Sequence, residues 1–179
     1  PIEGLTEIKI MKTRDGKDYL SAFFSGPVRS AGGTGEAFSL VIIDHLREIF
    51  GFARYDPTED EIKRTVSELN DYHERITNLQ YMPTEEEIMF LAKKIPIQIN
   101  GEQSEKLEVS NYKNLERIGT NFLRGGFCLV IGEGIAQKAA KIKRYVFGLR
   151  AKGFKLSDWD FLEEYLKIHE KREKGKSDD

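Results

Sequence analysis

Cysteine is almost missing from this chain. Cys128 is the only one, which excludes a disulfide framework and a cysteine-ligated zinc site. The three histidines, His45, His73 and His169, lie far apart and form no ligand motif. No run of about 18 apolar residues occurs, so a membrane-spanning helix is excluded. No Gly-Lys-Ser/Thr follows the glycine-rich stretch, so it is not a Walker A loop, and it is not G-x-G-x-x-G either. The first residue is Pro1, with no signal-peptide pattern. The expectation is an excised piece of a longer protein, reduced and cytoplasmic.

What is present suits a globular fold. The 179 residues are 39% hydrophobic and 32% charged, enough for a real core in one domain. The net charge of -2 hides a segregation. Residues 1–112 sum to -7, residues 113–155 to +8 and residues 156–179 to -3. Between Lys138 and Lys155 stand seven basic residues and no acid. A solvated face usually mixes signs, so an unmixed stretch points toward a polyanion partner.

The most unusual stretch runs Ser25-Gly26-Pro27-Val28-Arg29-Ser30-Ala31-Gly32-Gly33-Thr34-Gly35. An apolar strand-like run, Leu20 to Phe24, precedes it, and a long apolar helix-like run, Phe38 to Phe52, follows. Strand, glycine loop and helix together aim backbone N–H groups at an anion. Arg29 adds a guanidinium suited to phosphate. Gly32 to Gly35 reads as G-x-x-G, the loop that clamps nucleic-acid backbone in K-homology domains. The competing reading is a tight turn that needs positive φ.

Around this loop the elements read in order. Ile8 and Ile10 alternate as a half-buried strand, Asp15-Gly16 turns, and Tyr19 to Phe24 returns as a hairpin. Thr34 or Ser30 caps the next helix, Glu36 lies in its first turn, and Gly51 stops it. That helix is apolar nearly all round, so central burial is expected. Thr58 with Glu61 forms a capping box, and the opening at Thr84 repeats it. The acidic clusters 59–61 and 85–87 read as first-turn carboxylates facing a helix dipole, in preference to a metal site. Ile97 and Ile99, then Asn100-Gly101, then Leu107 and Val109, read as a second hairpin over 96–112. Phe127 to Ile131 must be buried, and the glycines around it admit another backbone. Cys128 reads as a core residue, and Glu133 stays open as a lone candidate acid. A lysine-rich helix follows, then one opened by Ser157-Asp158, with a frayed tail at 171–179.

The expected architecture is a single α/β domain over 1–170, with a small antiparallel or mixed sheet. It divides into a strand–loop–helix unit (1–52), capped helices (57–95), the hairpin (96–112) and a basic, glycine-rich helical part (113–170).

Several separated motifs resemble one family. The stretch 25–34, Tyr55-Asp56-Pro57-Thr58-Glu59-Asp60-Glu61-Ile62, and Arg124-Gly125-Gly126-Phe127-Cys128-Leu129-Val130 with Glu133-Gly134 and Lys138-Ala139 occur in one order. Pro1 to Gly4, Asn111 to Lys113 and Leu115 fit the same pattern. Together they are similar to the N-terminal region of the large subunit of archaeal family D DNA polymerase. The resemblance runs nearly to the final helix. Gly35 departs from it, standing where alanine or glutamate is expected.

The resemblance implies a replicative, two-subunit nucleotidyltransferase. Its large subunit adds nucleotides with Mg²⁺ on aspartates further along, and its small subunit carries a proofreading exonuclease. This piece would bind DNA and assist assembly, with a K-homology-like part, and would need no cofactor of its own. The expected nucleic-acid contacts are Arg29, Ser30, Gly32, Gly33, Thr34, Arg124, Lys138, Lys141 and Arg144. The expected partners are DNA, the small subunit and a second copy of the chain. The alternative is a pure interaction scaffold, and a third reading is a nucleotide-dependent enzyme using Arg29 and Glu133. Polymerase chemistry needs metal-binding carboxylates in a set geometry, and no such arrangement is legible. The purified chain is therefore expected to extend no primed template with Mg²⁺, measured by primer extension.

Overall fold

The computed structural model describes residues 4–26 and 34–177. The fold is mixed α/β, with six α-helices and a three-stranded sheet among the described residues. Strands β1 (Gly4–Lys12) and β2 (Asp18–Ser25) form the expected hairpin. Its turn is closed by Gly16, at φ 82°, whose N–H donates to the Thr13 carbonyl. Ile8 pairs with Ala22 and Ile10 with Leu20, with a bulge between Leu5 and Glu7. Helices α1 (Thr34–Phe50), α2 (Glu59–Arg75) and α3 (Glu85–Lys94) come next. The chain then returns as β3 (Gln98–Gly101), parallel to β2, giving the order β1-β2-β3.

The central strand is buried on both faces. Leu20, Ala22 and Phe24 join the main core with Ala37, Leu40 and Val41 of α1. On the other face Tyr19 stacks on Tyr55, and its hydroxyl donates to Gln98. Arg117 spans this second face. Its guanidinium lies 5.3 Å and 5.1 Å from the Tyr19 and Tyr55 rings and bonds Asp56 and Glu61.

The hairpin expected over 96–112 does not form. Gly101 is a strand residue paired with Phe24 of β2, and a Cβ there would stand 2.8 Å from the Phe24 carbonyl oxygen. Its glycine serves close strand packing rather than a turn. Leu107 and Val109 pair instead with 121–123: the Val109 N–H donates to Asn121 and the Leu123 N–H to Leu107.

Both capping boxes are present at Thr58/Glu61 and Thr84/Glu87. Gly51, at φ 73°, ends α1, and the Phe52 N–H reaches back to the Arg47 carbonyl. Central burial of α1 holds only for its first part: Leu46, Ile49 and Phe50 are exposed. Its polar residues Asp44 and Arg47 are buried instead. Asp44 accepts from Arg47 and Trp159, and Arg47 also donates to Asp158. Burial pushes the Asp44 carboxyl up, while the Arg47 guanidinium pulls it back.

Helix α4 (Gly125–Leu129) runs into a π-helical turn, Val130–Ala136, then α5 (Ala139–Ala151), a 3₁₀ turn at Ser157–Trp159, and α6 (Phe161–Ser177). The tail expected to fray at 171–179 continues as α6 through Ser177. Arg172 anchors it by donating to Glu87 and to the Tyr81 hydroxyl, 2.9 Å in each case. Glu87 also accepts from Tyr165 and from the Thr84 backbone, and His169 Nδ1 lies 3.3 Å away.

Burial works to raise the Glu87 carboxyl, but the Thr84 backbone, Tyr165, the Thr84 hydroxyl and His169 outweigh it and hold it at about 2. Asp56 is likewise about 2, with Arg117 and Arg14 outweighing burial. Each folded value lies below the ordinary one, 4.5 for Glu87 and 3.8 for Asp56. The stability they add is complete above those ordinary values and is lost as pH falls toward about 2. Urea midpoints are expected to drop across that window, and Glu87→Gln should flatten the drop.

Candidate nucleic-acid interface

Of the glycine loop, Arg29, Ser30, Gly32 and Gly33 lie outside the described residues. So does Ser30 as a cap. The flanks are described: β2 ends at Ser25, Gly26 has φ 69°, and Thr34 is the first residue of α1. Thr34 is buried, so its side chain offers little surface.

The basic stretch lies mainly on α5. Ala139, Ile142 and Val146 face the core, while Lys141 and Arg144 share the exposed face, three residues apart. Lys138 is partly exposed and precedes the helix at φ -107°, ψ 21°. That non-helical residue separates α5 from the π turn. Tyr145, beside Arg144, stacks on Phe38 of α1 at 4.2 Å between ring centroids. This contact packs α5 against the end of α1 that follows the glycine loop.

The basic run is not unmixed in space. Lys143 pairs with Glu163 at 3.7 Å and Arg150 with Asp160 at 2.7 Å, both acids being on or beside α6. Among the described residues, neither Lys141 nor Arg144 has such a partner. The acidic residues after 155 thus neutralise one flank of α5 and leave the opposite one cationic. The exposed Phe147 lies on the neutralised flank, with Lys143 and Arg150 over its ring.

Arg124 is a correction. It is 1% exposed and cannot reach a phosphate. Its guanidinium donates to both oxygens of Glu68 and to Asn100 Oδ1, at 2.8–3.0 Å. Its backbone N–H also donates to Glu68. Arg64 binds the same carboxylate at 2.9 Å and reaches the carbonyls of Tyr112 and Thr120. This fully buried network was missed from sequence. Its one local signal is the i, i+4 spacing of Arg64 and Glu68.

The remaining candidates have structural roles. Glu133 accepts from the Gln80 backbone N–H at 2.7 Å, which ties the α2–α3 connection to the π turn. His73 accepts from the Leu79 N–H, as a core-edge histidine would. Cys128 is buried, and burial drives its thiol well above the ordinary value, so it is no nucleophile. Gly126 explains its own presence: a Cβ there would stand 2.9 Å from Phe24 backbone atoms. In the acidic clusters, Glu61 is engaged by Arg117 and Tyr55, and Glu87 as above. Among the described residues no three His, Cys, Asp or Glu side chains are grouped to hold a metal.

Comparison with known proteins places these features. The family described as "DNA polymerase II large subunit DP2, N-terminal" matches residues 1–168. The DNA polymerase II large subunit of Nanoarchaeum equitans is 51% identical over 168 residues, 94% of this chain and 13% of that protein. That of Methanosarcina barkeri is 45% identical over 163 residues, 91% of this chain and 14% of its own. That of Thermoplasma acidophilum is 46% identical over 162 residues, 90% and 14%. The chain therefore spans 13–14% of the length of these relatives.

Removing one partner of the buried network strands the others without solvent. Glu68→Ala leaves two buried guanidinium groups uncompensated. It is expected to cost about 3–5 kcal/mol, read from denaturant unfolding, whereas Lys141→Ala should stay within about 0.5 kcal/mol.

Proposed function

The chain belongs to the family formed by the N-terminal part of the archaeal DNA polymerase II large subunit, and on that premise we propose that it is a DNA-binding and assembly region of that subunit. It holds nucleic-acid backbone and contributes no catalytic group. In this reading the longer protein, with Mg²⁺ and a smaller exonuclease subunit, carries out DNA-directed DNA synthesis during replication in the cytoplasm.

The observation that carries the DNA half is the charge sorting on α5. Lys141 and Arg144 stand exposed and without acidic partners among the described residues, on a helix whose other flank is neutralised by α6. Unpaired cations held on a docked helix suit phosphate, because binding there releases counterions and breaks no internal ion pair. Lys138 borders the same surface. Arg29, by its guanidinium, and Ser30, Gly32, Gly33 and Thr34, by backbone N–H groups, remain proposed phosphate contacts.

The assembly half rests on exposed apolar residues. Leu5, Ile8 and Ile10 of β1 and Leu46, Ile49 and Phe50 of α1 are all exposed. They favour an interface with the small subunit or with a second copy. Without the DNA half, the chain would be a scaffold only.

A salt titration separates the two halves. Binding should fall steeply with salt and depend little on sequence, since phosphate contacts carry no base information. The double variant Lys141→Glu/Arg144→Glu should weaken binding to all DNA sequences and lower the salt slope by about two units. The fold should survive, as both side chains are exposed. An unchanged affinity and slope would assign these cations to another partner.

A further inference from the structure

The outward face of α5 carries one large apolar side chain, Phe147, which is 44% exposed. The helix docks through Ala139, Ile142 and Val146, so its packing does not call for an aromatic on the far side. Phe147 follows Arg144 by three residues, which makes the two neighbours on the helix surface, and Lys141 lies one step further round. On its other side the charged ends of Lys143 and Arg150 lie 5.6 Å and 5.8 Å from the ring centroid. Both distances are near the outer reach of a cation–π contact, about 6 Å, so neither group covers the ring closely. Nothing bulky on the helix screens it either. Ala140, Gly148 and Ala151 are exposed on the same side, and a Cβ at Gly148 would meet no atom within 4 Å.

We propose that Phe147 is a stacking platform for an unpaired base, which makes single-stranded DNA the ligand of the α5 surface. The inference rests on the DNA half of the reading above and adds the class of DNA to it.

The ring stands where the charge on α5 changes character. Arg144 and Lys141, on one side, have no acidic partner among the described residues, whereas Lys143 and Arg150, on the other, are paired with Glu163 and Asp160. A single strand carries the matching division, with anionic phosphates along one side and free base faces on the other. Its phosphates lie along Arg144 and Lys141, where charge is unpaired, and a base turns onto the ring. Stacking of this kind tolerates any base, because every base has a π face. In a duplex interior those faces are already stacked on neighbouring base pairs, so Phe147 would meet only sugar and phosphate. An apolar protein surface suits the position less, since it would have to bury the cations around the ring.

The test is fluorescence anisotropy of the chain with three labelled oligonucleotides of equal length. They are a mixed-sequence single strand, its duplex, and a strand of abasic sites that keeps the phosphates and lacks the bases. The parent should bind the single strand about tenfold more tightly than the abasic one, and more tightly than the duplex. Phe147→Ala should remove that tenfold difference. Its affinity for the abasic strand and its salt slope should match the parent, because stacking releases no counterion. Phe147→Leu keeps apolar bulk without a π face and should fail in the same way, while Phe147→Tyr should retain the difference. The thermal midpoint of each variant confirms the fold. A parent that binds the abasic strand as tightly as the natural one overturns the proposal. So does Phe147→Ala binding as the parent does, or Phe147→Leu keeping the full difference, which would mark a merely apolar contact. Preference for the duplex, with affinity and salt slope both lowered in Lys141→Glu/Arg144→Glu, would overturn the stacking site and leave the DNA reading standing.

Discussion

The Glu68 carboxylate is the point on which the structure depends. It has no solvent exposure, and two guanidinium groups, Arg64 and Arg124, close on it. Burying three charged groups is costly unless every donor and acceptor finds a partner. Here they do. Arg124 also reaches Asn100 on β3, and Arg64 reaches the carbonyls of Tyr112 and Thr120 in the loop before α4. One carboxylate thus ties α2, β3, α4 and that loop together. Tyr112 itself holds φ 61°, a conformation that side chains resist, and the Arg64 bond to its carbonyl helps keep it there.

That anchoring lets α4 approach the sheet closely enough to need glycine. Gly101 and Gly126 stand where a Cβ would meet Phe24 backbone atoms, and Gly125 where one would meet Ser104 and Tyr72. The π turn and the non-helical Lys138 then redirect the chain, so α5 packs on α1 through Tyr145 and Phe38. The basic surface is a consequence of this sequence of constraints. Its cations are outward because Ile142 and Val146 are inward.

Local signals were legible in the sequence. The first hairpin, both capping boxes, the Gly51 stop and the buried Cys128 all follow from short spacings with a known backbone meaning. Long-range pairing was not. Asn100-Gly101 has the composition of a turn, and only the approach of Phe24 and Phe127 makes it strand. Arg124 was expected at phosphate, among the contacts that followed from the resemblance. Its partner Glu68 lies 56 residues away, beyond any local pattern. Leu46, Ile49 and Phe50 looked like core because the apolar pattern of α1 shows no polar side. The outward placement of Lys141 and Arg144 was legible, since an unbroken basic run on a helix with an apolar stripe leaves its cations outward.

The sign of the charge on residues 156–179 gives this basic run its direction. A helix carrying seven cations nearby but no acids would attract a polyanion from any exposed side. Asp160 and Glu163 are placed to engage Arg150 and Lys143, so attraction on that flank is spent within the fold. Arg172 and Tyr165, bound to Glu87, hold α6 in the register that makes this neutralisation possible. The buried Glu87 cluster therefore does more than fasten a terminal helix. It fixes which flank of α5 stays cationic.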